Sequence, residues 1–196
     1  SYRELAARVN RLARALQRLG VEQGDRVCIL SPNSHFFLES FYATSGIGAI
    51  LVPLNYRLLA ADHEYILNHA GVGTVLVDWE YVEVVDGIRP RLSTVRSYVV
   101  AQESGAAPAG WLDWNALLAA ESDEPPPAPA RSENDVVSLN YTSGTTARPK
   151  GVMLTHRNCY LNAYNLIAHL RVSHDDVELW TLPMFHCNGW GGVYAL

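Results

Sequence analysis

The chain opens on a helical pattern: Leu5, Val9, Leu12, Leu16 and Leu19 recur every three or four residues, with polar and charged positions between them. Ser1 and Glu4 stand at capping-box spacing and Gly20 closes the stretch, so an amphipathic helix fills the first twenty residues. Beyond the Gly24–Asp25–Arg26 turn the period changes. Val27–Cys28–Ile29–Leu30 is a short unbroken apolar run, the pattern of a strand buried on both faces. Pro32–Asn33–Ser34 leads into a helix-like stretch through Phe36, Phe37, Phe41 and Tyr42, and residues 49–54 (AILVPL) form the next strand-like run. A helix over residues 62–70 and strands over residues 74–78 and 97–100 continue the series. Helix and strand alternating in this way predict an α/β fold, with sheet covered by helices on both faces.

Residues 121–134, ESDEPPPAPARSEN, break the alternation. Proline stops helices and cannot donate to an internal strand ladder, so this stretch reads as an extended surface connection. It separates an opening α/β portion (1–120) from a segment at 136–196 that carries the candidate chemistry, with the connection at 121–135; the two portions can share one sheet system.

Composition narrows the class. With 196 residues, 48% of them hydrophobic, the chain can bury a substantial core. A net charge of −5, with no basic patch interleaved with aromatics, argues against nucleic acid as a partner. No apolar run approaches the roughly 20 residues of a membrane span, and none reads as a secretory signal, which predicts a cytoplasmic protein. Cys28, Cys159 and Cys187 are odd in number and widely spaced, and read as reduced, buried thiols rather than a disulfide framework. The seven histidines show no paired ligand spacing, so no metal site of the protein's own is expected.

Two segments carry chemistry. Residues 141–151 read YTSGTTARPKG and follow the β-prone run Val136–Val137–Ser138–Leu139–Asn140–Tyr141. A strand entering a Gly/Ser/Thr loop that ends in a cation suits a phosphate: backbone N–H groups approach the oxygens, hydroxyls donate, and Lys150 supplies countercharge. The P-loop of NTPases is a poor match, because Pro149 precedes Lys150 and Gly151 follows it where that motif needs Gly before and Ser or Thr after. The second segment, TLPMFHCNGW at residues 181–190, follows another strand-like run at residues 177–182 and lies about forty residues downstream.

The first segment resembles the phosphate-binding signature of the adenylate-forming superfamily, which includes acyl-CoA synthetases, aryl-CoA ligases, luciferases and adenylation domains of peptide synthetases; Ala147 stands where that pattern has glycine. The second resembles the acyl-pocket motif of acyl-CoA synthetases, and GVEQGDRVCILSPNS followed by GAILVPLNYRL is similar to the opening of such an enzyme. The resemblance implies that Thr142, Ser143, Gly144, Thr145, Thr146 and Lys150 contact the phosphates of ATP and its Mg²⁺. It implies that His186, Asn188, Gly189 and Trp190 line the pocket where acyl and pantetheine groups meet, with Trp190 at the position that gates the fatty-acid tunnel of long-chain members. His186 is not expected to act as a general base, since a carboxylate is already ionised at neutral pH. The thiol of Cys187 beside it needs no nucleophilic role.

The implied reaction joins a fatty or aryl carboxylic acid to ATP as acyl-AMP, then to CoA as a thioester. The family's adenine-binding strand, ribose-binding aspartate, hinge and C-terminal domain with the adenylation lysine have no counterpart here. The chain is therefore expected to be the N-terminal part of the adenylate-forming fold, without a catalytic residue of its own and inactive without the remainder of the enzyme. Two alternatives stay open: an adenylation enzyme that loads a carrier protein, and a truncated non-catalytic association domain. A homodimer is open as well, through the apolar surface left where the remainder would dock.

Overall fold

Strand β1, Arg26–Leu30, sits in the middle of the sheet, and its side chains show why the run is unbroken. Val27 and Ile29 join the core on one face while Cys28 and Leu30 join the core on the other. The computed structural model describes residues 1–142 and 148–195, with backbone only for Trp190 and Tyr194.

β2 (Ile50–Pro53) and β3 (Thr74–Asp78) flank β1 in parallel, and β4 (Ser97–Ala101) and the short β5 (Leu112–Asp113) extend the β3 side. On the β2 side lie β6 (Val136–Thr142), parallel to β2, and β7 (Lys150–Thr155), antiparallel to β6. The seven strands form one sheet in the order β5-β4-β3-β1-β2-β6-β7. Both portions flanking the proline-rich stretch thus contribute strands to it. The chain places β2 on one side of β1 and β3 on the other, so strand order reverses there, and in open α/β sheets ligands gather at the carboxyl edge near such a reversal.

α1 (Tyr2–Arg18), α2 (His35–Ile47) and α5 (Trp114–Ala119) cover one face, burying Leu12, Leu16, Phe37, Phe41 and Trp114. α3 (Ala60–Ala70) and α4 (Val82–Ile88) cover the other with Ile66, Leu67, Val85 and Ile88. The Ser1–Glu4 capping box forms as its spacing predicts. The buried carboxylate of Glu39 locks the first face: Arg8 Nη2 donates to it at 3.1 Å and Trp114 Nε1 at 3.2 Å. The proline-rich stretch holds no helix or strand over residues 123–132 and is tied down along its length, with Asn10, Arg14 and Gln23 donating to carbonyls of Asp123, Glu124, Pro125 and Ala130.

Two expectations from the sequence fail. Residues 177–182 form no strand: Val177 and Leu179 are 97% and 83% exposed. Alternation alone is insufficient without a sheet edge to pair with, and here Trp180 instead packs sideways against the core. Cys187 is exposed, unlike Cys28 and Cys159, because it sits in a surface turn with φ of 48°. α6 (His156–Leu170), not anticipated from the sequence, follows β7 behind its own capping box of Thr155 and Asn158 and leaves Tyr160, Tyr164 and Leu170 exposed.

His63 gives the fold a pH dependence. It is 1% exposed, its Nε2 lies 3.1 Å from the carbonyl of Asn55, and its Nδ1 has no partner among the described residues. Burial holds its pKa below the ordinary value of 6.5. The unfolded chain takes up a proton near that pH that the folded chain refuses, so this stabilisation is present above about pH 6.5 and is lost as the pH falls. The melting temperature is expected to drop between pH 7 and pH 5, and His63→Gln to flatten that drop; an equally steep fall in the variant would contradict the assignment.

Candidate functional site

The seven-residue β6 runs into the glycine- and hydroxyl-rich segment, and β7 leaves it. Their register pairs Tyr141 with Gly151 and Thr142 with Lys150, so both ends of the segment are fixed by one antiparallel ladder at the carboxyl edge of the parallel strands. Thr142 and Lys150 are exposed there. Ser143, Gly144, Thr145, Thr146 and Ala147 lie outside the described residues. Gly151 has a packing reason: a Cβ there would lie 3.0 Å from Leu139 and 3.3 Å from the ring of Tyr141.

Residues 182–190 reach the same edge. Asn33, in the turn between β1 and α2, donates through Nδ2 to the carbonyl of Leu182 at 2.8 Å and accepts from the N–H of Met184 at 2.8 Å. The chain then turns through Cys187–Trp190, with Asn188 and Gly189 in left-handed conformations. Trp180 packs so closely that a Cβ on Gly189 would fall 2.3 Å from its ring. His186 is exposed at the start of this turn. For Trp190 the backbone is placed at the end of the turn.

A buried pair of amides joins the two segments. Asn188 is fully buried and Asn140 is 7% exposed; Asn140 Nδ2 donates to Asn188 Oδ1 at 3.1 Å, and the reverse contact is 3.5 Å. Ser138 Oγ donates to Asn140 Oδ1 at 2.8 Å, so the side-chain amide of Asn140 is oriented from within its own strand. A buried amide pair of this kind holds its partners in one arrangement, because separating them would strand polar atoms away from water.

A cavity of about 760 Å³ lies between α1, α2, α6 and residues 172–178. Leu5, Leu38, Ile167, Trp180, Met184 and Val193 give it apolar walls. Met184 links it to the second segment, whereas His186 is not among its described lining residues. A second groove, of about 610 Å³, lies between α3 and Arg148–Pro149.

The model of the AMP-binding enzyme family matches residues 1–196. The chain belongs to this family. Among its relatives, a long-chain-fatty-acid–CoA ligase of Thermus thermophilus is 40% identical over 197 aligned residues, covering 100% of this chain and 35% of that protein. The N-terminal domain of FACL13 from Mycobacterium tuberculosis superposes with a TM-score of 0.86 at 31% identity, over 100% of this chain and 47% of that one. The anthranilate CoA ligase AuaEII, solved in complex with anthranoyl-AMP, gives 0.86 at 27% identity, over 99% of this chain and 38% of that one. The chain thus spans about a third of the length of the Thermus relative.

For an AMP-binding enzyme, the residues missed in the sequence are Asn140 and Asn33. Asn140 could have been suspected as the one amide in the apolar run at residues 136–141. The clamp by Asn33 gives no local signal, since its partners lie about 150 residues away.

Proposed function

We propose that the chain is the ATP- and acid-holding part of an AMP-forming acid–CoA ligase. The observation that carries this reading is the buried Asn140–Asn188 pair, which ties the strand entering the phosphate-type segment to the turn of the acyl-type segment. Two reactants must meet in one frame for their reaction to become effectively unimolecular, and a shared rigid junction supplies that frame.

Thr142, Ser143, Gly144, Thr145, Thr146 and Lys150 are assigned to the β- and γ-phosphates. A carboxylate oxygen of the acid attacks the α-phosphorus, the bond to the bridging oxygen breaks, and pyrophosphate leaves. Lys150 and the hydroxyls stabilise the charge that gathers on that leaving group. Among the described residues no cluster of three His, Cys, Asp or Glu side chains stands ready for a metal ion, so Mg²⁺ is assigned to the ATP phosphates on which it arrives. The thiolate of CoA then attacks the acyl carbon and AMP departs with the bonding pair. His186, Asn188, Gly189 and Trp190 are assigned to the pocket where that transfer occurs.

The apolar cavity has a volume within the roughly 300–1,000 Å³ usual for small-molecule sites, which supports an acid with a hydrophobic tail or ring. The names of the Thermus and AuaEII relatives span a fatty and an aromatic acid. Contacts to adenine and ribose, and the adenylation lysine, are assigned to polypeptide beyond these 196 residues. The sparse, widely spaced cysteines favour a cytoplasmic setting.

The test uses the complete polypeptide that carries this sequence, with fatty and aryl acids and either CoA or a phosphopantetheinylated carrier protein. An acyl-CoA thioester with one AMP released per thioester supports the ligase. Acyl transfer to the carrier alone would overturn it in favour of a loading enzyme.

A further inference from the structure

Two side chains one helical turn apart on α3 contact Tyr141 and Arg148, which bracket residues 142–147 of the segment assigned to phosphate. His69 Nδ1 lies 2.6 Å from the hydroxyl of Tyr141, whose ring meets the imidazole edge-on at 5.8 Å between centroids. Tyr65 stacks on the same imidazole at 5.3 Å, and the guanidinium of Arg148 lies over the Tyr65 ring, 5.4 Å from its centroid. Tyr141 is the next-to-last residue of β6, and Arg148 stands two residues before β7. The helix therefore grips the chain just before Thr142 and again two residues before Lys150. Burial pushes the Tyr141 phenol above its ordinary pKa, and the hydroxyl keeps its proton at neutral pH.

None of these contacts belongs to either sequence motif except through Tyr141 and Arg148. The core face of α3 is built by Ile66, Leu67 and Ala70, with the half-buried Tyr65 packed at its margin, whereas His69 is exposed. His69 is exposed, so its bond to Tyr141 adds little to global stability. Its geometric effect is local. It fixes the direction in which β6 delivers the chain, while the Tyr65–Arg148 contact fixes the point at which the chain returns.

We propose that Tyr65 and His69 are positioning residues for ATP, holding Tyr141 and Arg148 so that both ends of the phosphate segment are in place before the nucleotide arrives. This rests on the assignment of that segment to the phosphates of ATP. Preorganisation of this kind raises affinity by removing part of the ordering cost from the binding step. Because the contacts of Tyr65 and His69 among the described residues go to Tyr141 and Arg148 and not to the acid segment or to Asn140 and Asn188, the grip acts on ATP and leaves acid binding alone.

The experiment compares the complete polypeptide with its His69→Phe, Tyr141→Phe, doubly substituted, Tyr65→Ala and Tyr65→Phe forms. MgATP affinity and acid affinity are measured by calorimetry, with melting temperatures alongside. His69→Phe keeps an aromatic ring but removes the partner of the phenol. It and Tyr141→Phe are each expected to weaken MgATP binding about three- to tenfold, the size of one modest hydrogen bond. The double variant should bind no more weakly than the worse single one, because both remove the same contact. Tyr65→Ala should weaken MgATP binding while Tyr65→Phe, which retains the ring beneath Arg148, restores it. Acid affinity should stay at the parent value throughout, and melting temperature should stay there in the His69→Phe and Tyr65→Phe forms; Tyr65→Ala also loses packing against the core and should melt somewhat lower, so Tyr65→Phe is its control.

Amide hydrogen exchange without nucleotide gives a second readout, expected to be faster at Tyr141 and Arg148 in His69→Phe. Parent-like MgATP affinity in both single variants would overturn the positioning role and leave the ATP assignment standing. Losses of ATP and acid affinity in step with melting temperature would also overturn it, as general destabilisation. A parent that binds no MgATP would overturn the ATP assignment and this proposal together.

Discussion

Replacing Lys150 by alanine is expected to slow acyl-adenylate formation about a hundred- to a thousandfold, the usual effect of losing one charge-stabilising donor. Acid affinity should stay within about twofold of the parent, because the side chain starts β7 opposite Thr142 and the acid-side turn reaches the junction through Asn140 and Asn188. Folding should be nearly untouched: Lys150 is exposed, and exposed substitutions usually change stability by less than about 0.5 kcal/mol. Lys150→Arg keeps the charge but replaces a compact ammonium with a planar fork, so it should recover only part of the rate. Rapid quench of AMP formation together with equilibrium binding of the acid separates the two quantities. Equal adenylation rates in parent and alanine variant would remove Lys150 from the phosphate assignment.

Asn188→Ala should show the largest loss of stability, about 2–4 kcal/mol. Two costs combine in that figure. Asn140 Nδ2 loses the buried acceptor Asn188 Oδ1, while its Oδ1 keeps Ser138, and alanine must adopt a left-handed conformation that asparagine tolerates better. Asn188→Gly separates them. Glycine accepts the observed φ of 49° and ψ of 46° without strain, so the cost there is that of the lost side-chain contacts, of which the amide contact to Asn140 accounts for about 1–2 kcal/mol. Asn140→Leu attacks the same contact from the strand side and should not add fully to Asn188→Gly. Denaturant unfolding of the parent, the three single variants and the Asn140→Leu, Asn188→Gly double variant measures each term. If alanine and glycine at position 188 cost the same, backbone strain has no part in holding this turn.

Much of the opening portion was legible because its elements declare themselves locally. The leucine stripe and capping box gave α1, and the unbroken run at residues 27–30 gave a strand buried on both faces. The strand over residues 74–78 agrees with β3 residue for residue. The later portion was harder to read. Residues 177–182 have the alternation of a strand and none of its pairing, since a sheet edge is a property of the neighbours and not of the run itself. β7 and α6 escaped notice because the chemistry of residues 141–151 drew the reading across the strand boundary at Lys150, and the Thr155–Asn158 cap lacks the usual glutamate.

The candidate site divides along the same line. Its residue types were visible as two motifs, since small hydroxyl residues beside a lysine announce phosphate chemistry wherever they occur. Their junction was not. Asn140 and Asn188 are 48 residues apart and meet only because β6 adds to the edge of β2 and Asn33 anchors the approach to the acid-side turn. The grip of Tyr65 and His69 on Tyr141 and Arg148 is long-range in the same sense, across 72 residues at its shorter bond. Contacts of this kind exist only once the sheet has assembled.

The most direct measurement is carboxylate-dependent exchange of labelled pyrophosphate into ATP by the complete polypeptide, across a panel of fatty and aryl acids. Exchange that requires an acid, with AMP as the nucleotide product once CoA is added, is the expected result. Exchange independent of acid, or cleavage of ATP to ADP and phosphate, would contradict the assignment of this site to acyl-adenylate formation.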